Sequence, residues 1–154
     1  MKINSAEKLS NKLVKAFLKN KIISPLPLKF TKQLKNADKF RKLCESKVNE
    51  PIIGFKAGGT ALPVMKKLKE KEPFYASVYE KNVLKSGKKV KINKSTLGIE
   101  LEVCYQIKKS FFKSKSKITS KNISKYISHM STCIEVVGYR QRKKGITSFG
   151  DLCS

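Results

Sequence analysis

Three of the chain's 11 acidic residues lie where a carboxylate is costly. Glu100, Glu102 and Glu135 sit inside apolar, strand-like runs. An ionised carboxylate is expensive to bury unless it is paired or bound to a metal. From Gly98 to Ile107, Ile99, Leu101, Val103, Tyr105 and Ile107 alternate with Glu100, Glu102, Cys104 and Gln106. That period of two predicts a strand with both glutamates on one side, their Cα atoms about 6.8 Å apart. Glu135 belongs to a second run, Thr132 to Val137, and supplies a third oxygen ligand if the two strands are neighbours. Three carboxylates with no histidine or cysteine suit a hard cation, magnesium or manganese. Three protein ligands leave positions open for water or a bidentate substrate, as in a catalytic site. The same alternation also fits an edge strand whose glutamates face water and pair with lysines. Periodicity leaves both readings open, though Glu135 shares its face with Cys133 and Val137.

Other chemistries find less support. The cysteines fall at 44, 104, 133 and 153, with no CxxC pair, and His129 is the only histidine. That spacing disfavours zinc. Cys44, Cys104 and Cys133 lie in apolar patterns and read as small core residues. The net charge of +24 would ordinarily suggest nucleic acid. It is built, however, from 32 lysines and only three arginines, Arg41, Arg140 and Arg142. Base-specific readers favour the two-pronged arginine, and these lysines run along the whole chain. A solvated lysine surface is the plainer reading, although it would still hold polyanions weakly at low salt.

The elements that must position these residues follow from the pattern. At 154 residues and 40% hydrophobic content the chain can build a core. No run is apolar for long enough to span a bilayer, and MKINSAEKLS lacks a secretory core, so a cytoplasmic protein is expected. Asn4 or Ser5 caps a first helix with Leu9, Leu13, Val14, Phe17 and Leu18 on one face, ending before Pro25 and Pro27. A second helix follows Asn36, with Phe40, Leu43 and Cys44 inward. These make an N-terminal helical cap over residues 1–50; residues 51–154 form a β-rich domain. Its strands are Ile52 to Phe55, Tyr75 to Tyr79, Val90 to Ile92, Gly98 to Ile107 and Thr132 to Val137. Thr60 caps a short helix that runs into Lys66 to Lys71. Lys85 to Lys88 is a turn, and Lys108 to Lys117 a basic loop. Thr119 or Ser120 caps a helix with Ile123, Tyr126, Ile127 and Met130 on one side. Gly138 to Gly150 is a polar loop.

Four segments, in order, resemble a known group. Gly54-Phe55-Lys56-Ala57-Gly58-Gly59-Thr60 is similar to a glycine-lysine-glycine-threonine segment. Glu72-Pro73-Phe74-Tyr75 is similar to the segment that follows it. Gly98-Ile99-Glu100-Leu101-Glu102-Val103 resembles a Glu-x-Glu metal motif, and Ile134-Glu135-Val136-Val137-Gly138-Tyr139-Arg140 a third metal segment followed by arginine. Together they resemble the 2-oxopent-4-enoate hydratases and 4-oxalocrotonate decarboxylases of the fumarylacetoacetate-hydrolase-like family, lyases of aromatic-compound breakdown. In many of that group an aspartate that assists proton transfer stands where this chain has Phe74.

The resemblance implies an α+β fold, with N-terminal helices before a mixed, mostly antiparallel β roll. It implies magnesium or manganese on Glu100, Glu102 and Glu135, chelating the carboxylate and 2-oxo group of a short oxo acid and stabilising an enolate. Lys56 would meet the substrate carboxylate or move a proton, with Gly59, Thr60 and Arg140 as further substrate contacts. It also implies homo-oligomers and a longer protein whose further strands complete the sheet. This chain then reads as C-terminally truncated, either an inactive fragment or one completed by a partner chain. The competing expectation is a lysine-rich, non-catalytic binder of nucleic acid or acidic partners.

Overall fold

The computed structural model describes residues 3–27, 29 and 34–140. The chain forms α1 (Ile3–Leu18), α2 (Leu34–Glu45), β1 (Ile52–Gly58), α3 (Leu62–Leu68), β2 (Phe74–Tyr79), β3 (Thr96–Ile107) and β4 (Ile127–Gly138). The class is α+β, and the described residues form two two-stranded antiparallel sheets, β1–β2 and β3–β4. Among the described residues, no helix is long and apolar enough to cross a membrane. Two compact units result. One holds the described residues up to Ser95 together with Tyr139 and Arg140; the other is Thr96–Gly138. The boundary expected at residue 50 falls inside the first unit.

The first unit is built on the stripe that the sequence places along α1. Ala6, Leu13 and Val14 pack with Leu26, Phe40 and Cys44, and Leu9, Ile23, Leu43 and Val48 close around them. Phe40, 1% exposed, is its largest fully buried side chain, worth about 2–3 kcal/mol of apolar burial. The helix begins before Asn4 and Ser5, so neither is its cap. It ends at Leu18, ahead of Pro25 and Pro27 as expected, and Asn20 sets the stop. Asn20 adopts a left-handed φ of 50°, and the Lys21 amide reaches back to the Ala16 carbonyl at 2.9 Å, a Schellman-type closure. Likewise α2 begins at Leu34 and takes in Asn36.

In β1–β2, Gly58 faces Phe74. A Cβ on Gly58 would run into that ring, so a larger residue there would force the Phe74 side chain to shift. Thr60 does not cap α3; Ala61 holds that position without a side-chain bond, and Pro63 lies in the first turn. The turn at Lys85–Lys88 forms, with the Lys88 amide on the Lys85 carbonyl and Gly87 at φ 82°.

Two expected elements are absent. Val90 to Ile92 is not a strand; both residues are exposed, and among the described residues their alternation has no partner strand to reward it. The helix expected after Thr119 shrinks to a 3-10 turn, Ile123–Tyr126. From Ile127 the chain is already in β4, and Met130 lies opposite Tyr105. Apolar spacing at 123, 126, 127 and 130 fits a helix, but the hydrogen bonds offered by β3 are long-range and win.

Cys104 and Cys133 are not core residues. They form a disulfide across β3 and β4 with 6.3 Å between Cα atoms. Closing the 29-residue separation stabilises the folded chain by about 3–4 kcal/mol in the chain-entropy model.

Candidate metal centre

Strand alternation and register together build the site. β3 puts Glu100, Glu102, Cys104 and Gln106 on one face of the ribbon. β4 then sets Glu135 directly opposite Glu100, and Cys133 opposite Glu102. One oxygen from each of the three glutamates lies within 4.8 Å of the others. Glu100 is exposed, while Glu102 and Glu135 are half-buried, and Oε2 of Glu135 is fully buried. Two unit charges at that spacing repel by about 1–3.5 kcal/mol, depending on the effective dielectric. A divalent cation reverses the sign of that energy. The donor set is all oxygen, which fits magnesium, manganese or calcium and not a soft metal.

The other residues singled out in the sequence belong to the first unit. Lys56 is half-buried on β1, opposite Ala76. Gly59 follows at a left-handed φ of 67°, and Thr60 is exposed. Arg140 is half-buried. Its guanidinium donates to Asn20 Oδ1 at 3.1 Å and to Ser95 Oγ and the Tyr139 carbonyl at 3.3 Å. It lies 5.8 Å from the Phe17 ring, and burial pushes its pKa down. These contacts tie the residue after β4 to the end of α1.

Two features escaped the sequence reading. The disulfide needed the register, because the two cysteines are 29 residues apart. The second is a charge network around Arg41, 7% exposed. Arg41 donates to Asp38 at 2.6 Å and to Glu45 at 2.5 Å, and lies 4.6 Å over the Tyr75 ring. Glu45 also accepts the Ser77 amide at 3.3 Å, joining α2 to β2. Its signal was the spacing of Asp38 three residues before Arg41 and of Glu45 four residues after it. Burial alone would lower the Arg41 pKa, but its bonds to Asp38 and Glu45 outweigh that and raise it. The Arg41 hydrogen bond in turn lowers Asp38.

Compared with known proteins, the chain matches no family model and no curated protein.

Proposed function

We propose that this chain is a divalent-metal-dependent lyase of short unsaturated 2-oxo acids, hydratase-like or decarboxylase-like, with magnesium or manganese on Glu100, Glu102 and Glu135. The observation that carries the metal is the approach of those three carboxylates to within 4.8 Å of one another. The four ordered motif resemblances narrow the chemistry to that group and to its antiparallel β roll. When bound, the ion supplies positive charge to the oxygens of a 2-oxo acid. The chain's own part is to hold the carboxylates in place through the β3–β4 register. Lys56 as proton carrier, and Gly59, Thr60 and Arg140 as substrate contacts, enter from the motifs alone.

The test is manganese binding to the full chain, by calorimetry or paramagnetic resonance, beside the Glu100→Ala/Glu102→Ala variant. One saturable site in the parent, weakened roughly tenfold or more in the variant, is expected. Equal weak binding by both folded proteins would sink the reading. Given a site, metal-dependent turnover of short 2-oxo acids should be lost in Lys56→Ala while manganese binding stays.

One observation favours a second reading, a basic binder. Between Lys108 and Tyr126 the sequence has seven lysines and no acidic residue. Phe112, 77% exposed, stands edge-on to Phe111, which packs in the same way on Tyr126. Lysines around a presented ring suit a single-stranded polyanion. Oligonucleotide binding that survives physiological salt and falls in Phe112→Ala would favour it.

A further inference from the structure

The polar face of the β3–β4 ribbon is a ladder. Glu100 faces Glu135, Glu102 faces Cys133, Cys104 faces Ser131 and Gln106 faces His129. The disulfide runs diagonally across the two middle rungs. It shares a rung with Glu102 and lies one rung from Glu100 and Glu135. Packing gives the register little help, because the opposite face is exposed, Leu101 and Ile134 included. A two-stranded ribbon is marginal in water. A slip of one residue would carry Glu100 and Glu102 to the other face from Glu135.

We propose that Cys104–Cys133 is a reversible thiol–disulfide exchange site that locks the register of this ribbon, and with it the convergence of the three carboxylates. The consequence for cation affinity rests on the metal reading above. Cys104 is exposed, as exchange with a small dithiol requires. A reductant thiolate attacks one sulfur, forming a mixed disulfide and releasing the other as a protein thiolate. The reductant's second thiol then displaces the remaining protein sulfur. The cysteine pair gains two electrons and two protons, and the reductant leaves as its own disulfide. With the bond open, the segment between the cysteines regains chain entropy, and the mutually repelling carboxylates are free to part.

The full chain is equilibrated in dithiothreitol redox buffers and read in three ways. Differential alkylation with peptide mapping follows the bond, hydrogen exchange follows the ribbon amides, and manganese binding follows the carboxylates. Expected are a bond that opens and closes reversibly, amide exchange in β3 and β4 faster by roughly tenfold or more on reduction, and weaker manganese binding. The Cys104→Ser/Cys133→Ser variant should behave as the reduced chain in every buffer. No Cys104–Cys133 bond in any buffer, or equal ribbon exchange in oxidised and reduced folded protein, overturns the proposal. Faster exchange on reduction with no manganese bound in either state keeps the lock and overturns the metal reading instead.

Discussion

Asp38 and Cys44, one turn and a half apart on α2, titrate in opposite directions for opposite reasons. Arg41 donates to Asp38 and holds its carboxyl below the ordinary 3.8. A carboxyl lowered by folding stabilises the protein fully above its unfolded value, and that contribution is lost as pH falls through the folded value. Urea midpoints should therefore drop below about pH 4, and Asp38→Asn should flatten part of that drop. The contribution is small, because Asp38 is partly open to solvent. Burial pushes the Cys44 thiol up to about 12. Thiolate is the reactive form, so Cys44 should resist iodoacetamide at neutral pH in the folded chain and react on unfolding, as mass mapping would show. At this scale the three glutamates were legible, because alternation marks a face whatever the partner strand is. The arginine network was harder to see, since its value lies in burial against β2, which a helical spacing does not reveal.

The elements that the sequence placed well are those whose signal is local. α1 and α2 have an apolar stripe, and β3 alternates over ten residues. The misplaced ones needed a partner to decide them. Residues 119–130 offer helical and extended patterns at once, and β3 settles the matter from 20 or more residues away. Helix ends were also obscure, because two of them close on residues other than glycine. Asn20 at φ 50° ends α1, and Lys69 at φ 58° ends α3. A lysine in that conformation is strained, since its Cβ crowds the backbone. Lys69→Gly should stabilise the first unit by about 0.5–1 kcal/mol in urea unfolding, because glycine adopts this conformation freely.

For the molecule as a whole, charge and apolar exposure pull in opposite directions. A net charge of +24 keeps copies apart at low salt and loses that effect as salt screens it. The apolar face of the ribbon carries Ile99, Leu101, Val103, Tyr105, Met130, Ile134 and Val136, all exposed, Leu101 at 86%. A contiguous apolar face of this kind is rare on a soluble monomer. The folded chain should therefore bind an anilinonaphthalene dye and lose solubility as salt rises. Leu101→Lys should reduce both effects severalfold and leave manganese binding unchanged, because residue 101 points away from the carboxylates. Sequence alone gave the alternation but not the fact that this side stays open. The first unit, finally, resumes where it was interrupted. Ser95 and Tyr139 are 43 residues apart, yet the Tyr139 amide bonds to the Ser95 carbonyl at 3.0 Å. The helical body has thus already closed the gap across which the ribbon is carried. The two points at which the chain leaves and re-enters the first unit are one hydrogen bond apart, so a splice that joins Ser95 to Tyr139 need bridge only that distance.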